Sequence, residues 1–583
     1  MKKITLLMLI VYSFIFVKGQ GDAESQSKVA PAVTEYNRNA LTVLILNNHN
    51  RYMNDLEQAS SGILIPDKFD NNLLSKRTIT SRQSNEEAIQ LALINEKIPN
   101  DILARWFARD DSGRFSMEVI HKRGLYNATD DEVRKASGSK LGMAKLKDAG
   151  EILIDHSYIM VLEFSNIKTM DQIYDAQDAA KRAIMGDKYE PVKRRKNGWK
   201  GNVKAYIYRL NFNDSIVDIF YNDLWIYDDD DEAVIAEKKA KFEQMNFPLA
   251  SVITLKGKAD GSQYNAGEIL APPRQLTKEE LFQKMINTGM SSILYDVERK
   301  VEEFRVKTPL YGTHPLRAKI GKKEGVKTDY RYFVIELEQN KKGETKAVRK
   351  GVVRAKKAVD NRQKATGNSK LYTTFYQTAG HSLMSGMLLQ QRNDLGFGVS
   401  TGISTGEIGG AFVKGEANLS VLAGRYAGMD LGITQLKFYA VGGWQDKEYI
   451  IHINNNNTKY DVSFARWQIG ISKGWYFAHH FSLAFLLGYG QETALCGDYM
   501  ENENYDSDDY FATEFVNFGA YMTLNVTYWL QLMGTANLYG PIGYATDKDD
   551  NSWKNVDNNE LYYTDIFKNR SGLSFDLGLR VEF

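Results

Sequence analysis

The eight histidines are the first place to look for chemistry, and their spacing supports none. His49, His121, His156, His314, His381, His452, His479 and His480 make no His-Glu-x-x-His pair that would set two imidazoles on one helix face to hold zinc. Asp155-His156-Ser157 places the residue types of a proton relay side by side, but neighbours on a strand point to opposite faces, so they cannot form it. No Gly-x-Ser-x-Gly elbow raises a serine nucleophile, and no Gly-x-x-x-x-Gly-Lys loop cradles phosphate. Cys496 is the only cysteine, which excludes a Cys-x-x-Cys pair and an intramolecular disulfide. Two acidic clusters carry hard oxygen donors: Asp498, Glu501, Glu503, Asp506, Asp508 and Asp509, then Asp547, Asp549, Asp550 and Asp557. Their spacing departs from that of calcium-binding loops, so they read as solvated loops. Asp228 to Glu232, after Trp225-Ile226-Tyr227, reads as an acidic turn. The expectation is no catalytic residue, no cofactor and no metal ligand.

The segments that carry these side chains begin with a chain end that bears on compartment. Lys2 and Lys3 precede the apolar run Ile4 to Val17, and Val17-Lys18-Gly19 suits a cleavage site. This is the pattern of a secretory signal peptide over 1–19; a bilayer-spanning helix needs about 20 apolar residues. No cysteine follows the run, which argues against a lipid anchor. Removing 19 of 583 residues leaves 564, room for several domains. The net charge of +1 gives no general affinity for polyanions, and nucleic acid is not an expected partner. Aromatic residues reach 12%, with 33 Tyr and 27 Phe.

Composition changes near residue 370, from a Lys- and Glu-rich mixture of helical and strand patterns to Gly-rich, aromatic, period-two segments. After a flexible stretch over 20–36, residues 37–270 read as an α+β domain. Leu41 to Leu46, part of Ile152 to Phe164, Val203 to Phe212 and Tyr332 to Leu337 are strand candidates. Thr129-x-x-Glu132 and Thr277-x-x-Glu280 have the spacing of capping boxes that start helices. Pro272-Pro273 marks a break, after which 271–370 reads as a basic, β-rich second subdomain or linker. Its Lys322, Lys323, Lys341, Lys342, Arg349, Lys350, Arg354, Lys356 and Lys357 suit anionic headgroups or an envelope partner; Lys341-Lys342-Gly343 suits a hairpin turn.

Residues 371–583 read as an antiparallel membrane barrel. Leu573, Phe575, Leu577, Leu579, Val581 and Phe583 alternate with Ser574, Asp576, Gly578, Arg580 and Glu582, which puts all the apolar side chains on one face of a strand. Similar segments of about ten residues recur, near 395–405, 407–422, 430–443, 460–475, 480–490, 515–527 and 530–544. With 572–583 this makes eight strands, or ten if Leu371 to Asp394 adds a hairpin. The joints at 476–479 and 528–529 are short, while 444–459, 491–514 and 545–571 are long and polar. Trp444, Trp475, Tyr476, Phe477, Tyr528 and Trp529 cluster at strand ends, as interfacial girdles do. The terminal strand, ending on Phe583, resembles that of bacterial outer-membrane β-barrel proteins. That resemblance implies recognition by the barrel-assembly machinery, contact with outer-membrane lipid, and a periplasmic place for the N-terminal region. The mixed region before it is similar in character to periplasmic assembly domains of secretion channels, with no motif that names a family.

An eight-stranded barrel is filled by its own side chains, and Lys414, Glu416, Arg466, Asp576, Arg580 and Glu582 are expected inside it as paired charges. The expected function is a non-enzymatic, outer-membrane-anchored envelope protein whose periplasmic domain binds a partner protein or peptidoglycan. A membrane-tethered periplasmic enzyme and a transport or secretion channel component are the alternatives.

Overall fold

The structure, a computed structural model, describes residues 39–48, 51–66, 68–71, 74–116, 156–339, 345–361, 372–406, 408–453, 458–503, 505–506, 509–555 and 557–583. The signal-peptide and 20–36 assignments, His49, His121, Asp155, Asp508, the Thr129 capping box and the Lys341-Lys342-Gly343 turn lie outside the described residues.

The first unit is a sheet of β1 (Ala40–Asn47), β2 (Asp70–Asn71), β3 (Thr78–Thr80), β4 (Ser157–Thr169), β5 (Lys196–Leu210) and β6 (Leu249–Tyr264). The order is β2-β1-β4-β5-β6, with β3 also on β1. The contacts of β1 are all parallel, and β4-β5-β6 run antiparallel. The near-continuous apolar run of β1 is buried on both faces, as a central parallel strand requires. The helices are α1 (Met53–Ser60), α2 (Glu86–Asn95), α3 (Ile98–Trp106), α4 (Met170–Met185), α5 (Asp214–Ile219), α6 (Glu232–Gln244) and α7 (Lys278–Lys300). Leu93, Trp106, Val217 and Phe242, from α2, α3, α5 and α6, pack on one sheet face. Met53 of α1 and Met285, Ile286 and Ile293 of α7 cover the other. The result is a three-layer sandwich.

Helix α7 starts at the expected capping box. Glu280 N–H donates to Thr277 Oγ1 at 3.2 Å, and Thr277 N–H to Glu280 Oε2 at 2.8 Å. Gly261 is needed for its close approach, because a Cβ there would lie 2.0 Å from the Leu281 carbonyl oxygen. Since α7 seals this sheet, the break at Pro272-Pro273 falls within the first unit and does not start a second one.

The second unit is a small closed barrel of β7 (Lys307–Thr313), β8 (Leu316–Ala318), β9 (Arg331–Gln339), β10 (Thr345–Lys357), β11 (Thr373–Gly380) and β12 (Leu388–Gln391). The strands close in the order β10-β11-β8-β7-β12-β9 around Leu310, Tyr332, Val334, Val353, Phe375 and Leu389. Strands β11 and β12 come from the segment placed by sequence at the start of 371–583. They close this barrel and add nothing to the membrane barrel, so the strand number of the latter is eight and not ten.

The third unit is that eight-stranded closed barrel: β13 (Phe397–Thr405), β14 (Gly410–Asn418), β15 (Leu436–Ile450), β16 (Lys459–Tyr476), β17 (Phe481–Leu495), β18 (Phe511–Asn525), β19 (Leu530–Thr546) and β20 (Gly572–Glu582). Each strand pairs antiparallel with the next, and β20 with β13. Its polarity is inside out for a water-soluble barrel. Phe485, Leu487, Phe518, Leu538, Leu577 and many more apolar side chains point outward and are exposed, while Lys414, Glu416, Gln468, Asn517, Gln531 and Arg580 are buried inside. A barrel face this apolar is stable only against hydrocarbon, so the barrel spans a membrane. At one end the turns are tight; at the other the loops are long and carry α9 (Gly497–Asn502) and α10 (Tyr563–Ile566). Two connections depart from this: β13 and β14 are joined by a short turn between Thr405 and Gly410 at the long-loop end, and α8 (Leu419–Tyr426) is inserted between β14 and β15 at the short-turn end.

Strand β16 records where hydrocarbon stops. Outward Trp467, Ile469, Ile471 and Trp475 alternate with inward Arg466, Gln468 and Ser472. Nearer the long loops the phase reverses. Lys459, Asp461 and Ser463 face out, whereas Tyr460, Val462 and Phe464 face in. Those residues join Tyr499, Phe511, Trp553, Tyr563 and Phe567 in an apolar core that caps the barrel. The strands therefore leave the bilayer near residues 465–466 and continue as the wall of a water-soluble cap.

Candidate functional site

The interior and its two closures are the parts of the molecule where polar chemistry is concentrated. Inside the barrel, towards its short-turn end, Glu416 accepts hydrogen bonds from Arg580 Nε and, at 3.2 Å, from Tyr521 Oη. Lys414 Nζ lies 3.1 Å and Lys437 Nζ 4.0 Å from its oxygens. Arg580 Nη1 also donates to Gln531 Oε1 at 2.6 Å. These side chains cross the lumen as complementary charges, which a narrow low-dielectric space requires. A small cavity remains beside them, lined by Phe412, Tyr439, Arg466, Tyr539 and Asp576 among others.

The long-loop end is closed by a second ion pair beneath the apolar cap. Arg570 grips Glu492 through Nε at 3.0 Å and Nη2 at 2.6 Å, and Tyr563 Oη donates to the same carboxylate at 3.1 Å. The Arg570 guanidinium lies 3.8 Å from the Phe464 ring centroid.

At the short-turn end the small barrel plugs the mouth. Arg354, with a side chain only 3% exposed, comes from β10. It donates to the Asp329 carbonyl at 2.7 Å, to Glu582 Oε1 at 2.9 Å and to Asp394 Oδ2. Glu582 belongs to the last membrane strand, so this cluster joins the two barrels. Burial works against the Arg354 charge, but Asp394 and Glu582 more than offset it and hold its pKa well above the ordinary value. Asp329 receives Tyr376 Oη at 2.7 Å, Asn418 Nδ2 at 2.9 Å and the Gln435 N–H at 2.6 Å. Burial still pushes its carboxyl pKa up, against Arg354 and those bonds.

The first unit is tied to the same junction. Glu298 of α7 pairs with Lys68 and accepts Gln391 Nε2 at 2.7 Å and Asn393 Nδ2 at 2.9 Å. Asp296, also on α7, receives Arg425 of α8 at 3.1 Å. Lys327 Nζ donates to the Gly424 carbonyl of α8 at 2.8 Å. Its burial brings its pKa down to about 8. Three folded units thus meet in one dense polar seam.

Of the residues expected inside the barrel, Lys414, Glu416, Arg466, Arg580 and Glu582 are buried there, and Asp576 is half-buried. Arg354, counted by sequence among residues facing headgroups, instead turns into the interface. Tyr476 and Tyr528, expected in a membrane girdle, pack on Tyr376 and Phe333 of the small barrel; Trp475 and Phe477 are exposed as girdle residues should be. Asp329, Asp394 and Lys437 were missed, since nothing in their local sequence distinguishes them from surface charges. Cys496 is buried in the cap, and burial pushes its thiol pKa up. Asp506 of the first acidic cluster pairs with Lys548 at 2.6 Å. Among the described residues, no group of three His, Cys, Asp or Glu side chains is arranged to hold a metal.

No protein-family profile matches the chain, and no curated protein matches it. Several solved structures are similar to its barrel portion. Neisserial surface protein A is 10% identical, with 32% of this chain and 97% of that one covered and a TM-score of 0.20. A major outer membrane protein of Thermus thermophilus is 11% identical, with 32% and 98% covered and a TM-score of 0.24. Ail, the attachment invasion locus protein of Yersinia pestis, is 10% identical, with 32% and 95% covered and a TM-score of 0.17. At such TM-scores the argument for a membrane barrel rests on the strands and side chains of this chain itself.

Proposed function

We propose that this chain is a non-enzymatic protein of the bacterial outer membrane, in which the eight-stranded barrel anchors a periplasmic α/β domain that binds an envelope partner. The crossed ion pairs in the lumen and the closures at both ends support an anchor in preference to a conduit. The seam at the short-turn end supports a rigid stalk that fixes the α/β domain relative to the bilayer.

The observation that carries partner binding is helix α4. It buries only Met170 and Tyr174, and its last two turns stand clear of the sheet. They end on Ile184, 85% exposed, and Met185, 51% exposed. A helix of 16 residues with so little burial is held by few of its own contacts, and an apolar tip on it is suited to a second molecule. A photo-crosslinking residue in place of Ile184, in full-length protein in cells, should give a discrete adduct with one envelope protein or with peptidoglycan fragments. No adduct from Ile184, Met185 or the flanking positions would refute partner binding by this helix. Protease added to intact cells should cut within 547–571 and leave 156–300 whole until the outer membrane is opened; the reverse pattern would refute the orientation.

A further inference from the structure

The connections at the two ends of the membrane barrel differ in chemistry. The long loops expose carboxylates, Asp498, Glu501, Glu503, Asp549 and Asp550 among them. At the short-turn end, Phe477 to His480 and Val526 to Trp529 contain none. The third connection there runs from the end of α8 to the start of β15, and in Tyr426 to Thr434 the only charged residue is Asp430.

That charge is turned inward. Asp430 Oδ1 accepts the Thr328 N–H of the small barrel at 3.1 Å and the Gly432 N–H at 3.2 Å. The backbone of the loop is tied down as well. Met429 N–H donates to the Ala423 carbonyl at 3.1 Å, and Ser420 Oγ donates to the Ile433 carbonyl. Left outside are Tyr426, Met429 and Ile433, which are 48%, 56% and 44% exposed. The loop is thus polar where it meets protein and apolar where it does not.

Lys473 fixes its depth. This residue lies on the lipid-facing side of β16, in step with Ile471 and Trp475. Its ammonium donates to the Thr434 carbonyl and, at 3.3 Å, to the Thr434 hydroxyl, and stands 4.6 Å from the Trp475 ring centroid. Leu436 pairs with Lys473, and the Gly474 N–H donates to the Gln435 carbonyl at 3.0 Å. The same register brings Thr434 level with exposed Trp475. A lysine beside a tryptophan at the end of an apolar strand face marks the headgroup layer. Ile433, the next residue, therefore leaves the barrel at that depth, and its exposed surface continues the lipid-facing belt.

We infer that the loop after α8 docks on the bilayer itself, with Met429 and Ile433 seated in the headgroup layer of the leaflet at the short-turn end. Apolar side chains on a loop whose polar groups are satisfied elsewhere suit that layer. A protein partner covering them would have to displace lipid from the same rim. Because Asp430 and α8 are bonded to the small barrel and to α7, the contact would give the two units outside the bilayer a foothold on it beside the seam. The inference rests on the membrane placement of the barrel and is independent of any partner of α4.

The test uses full-length protein in phosphatidylcholine vesicles, with Cys496→Ala removing the native thiol. M429C, I433C, I184C and I471C are labelled one at a time with an environment-sensitive fluorophore, and heat-modifiable mobility confirms that each is folded. Labels at 429 and 433 should emit to the blue of the label at 184. Lipids carrying a nitroxide near the headgroup should quench them more than lipids carrying it deep in the chain, and iodide on both sides should quench them less than the label at 184. Iodide quenching at 429 and 433 equal to that at 184, without nitroxide quenching, would overturn the docking while a nitroxide-quenched label at 471 leaves the barrel in its membrane. Failure of lipid to quench 471 would overturn both together. Protection from iodide that disappears as the protein is diluted into more lipid would also overturn it, and would make a second copy of the chain the occupant.

Discussion

Two arginines placed on one face of one strand test the polarity reversal of β16, and with it the position of the membrane. Ile471 and Ser463 both point outward and are eight residues apart, 471 minus 463, roughly 26 Å along the strand. Ile471, 52% exposed, lies in the middle of the apolar belt, whereas Ser463 donates to Asp446 on the wall of the cap at 2.7 Å. In hydrocarbon, an arginine on the lipid face of a barrel costs about 2–4 kcal/mol at the midplane, falling towards zero at the interfaces. In water, an exposed substitution changes stability by about 0.5 kcal/mol or less. Ile471→Arg should therefore destabilise the barrel by about 2–4 kcal/mol, and Ser463→Arg should be near neutral, helped by Asp446. Urea titration in phosphatidylcholine bilayers, read by the heat-modifiable mobility of the barrel, gives both values. If the two substitutions cost the same within about 0.5 kcal/mol, Ile471 faces water and the membrane assignment fails.

Arg354 and Glu582 join the two barrels, so their energies should couple. Arg354→Met strands Asp394 and Glu582 in a closed interface and should cost about 3–5 kcal/mol, and the cycle with Glu582→Gln should give a coupling energy of about 1–3 kcal/mol. Additivity within about 0.5 kcal/mol in urea unfolding of the small barrel, followed by fluorescence, would show that the seam does not weld the units. Lys327 gives a pH dependence of the same sign as acid denaturation, but displaced to the alkaline range. Its pKa is about 8 folded against 10.5 in its ordinary state, so the unfolded chain binds more protons between those values and stability should rise with pH there, by about 3 kcal/mol in total. Below pH 8 the penalty is present in full. The wild-type minus Lys327→Met difference in unfolding free energy isolates it; a difference that stays flat from pH 7 to above 10 would refute the burial of that charge.

How much of this was written in the sequence depends on whether a pattern has one physical reading or two. Period-two alternation over 572–583 located β20, and the charges expected inside the barrel are there, because strand geometry leaves a side chain only two directions. The cap was hidden by the same rule. On β16 the inward–outward alternation of side chains continues unbroken from Tyr460 to Trp475, while the apolar set moves from the inward to the outward face between Phe464 and Trp467, a slip of one residue in the apolar–polar pattern. An alternation count registers the period and is blind to the phase, yet it is the phase that says whether lipid or water lies outside. The small barrel was illegible for another reason. Strands β8 and β12 have three and four residues, too short for a periodic signal, and β12 is paired with β7 and β9 from far upstream, which no local pattern encodes. Tyr476 and Tyr528 fall between these cases. An aromatic residue at a strand end is stable against either a headgroup layer or a neighbouring domain, and only the presence of the small barrel decides between them. The seam is therefore a property of three units folded together, and its charges became recognisable only once the sequence-distant residues Asp329, Arg354, Asp394 and Glu582 stood within bonding distance of one another.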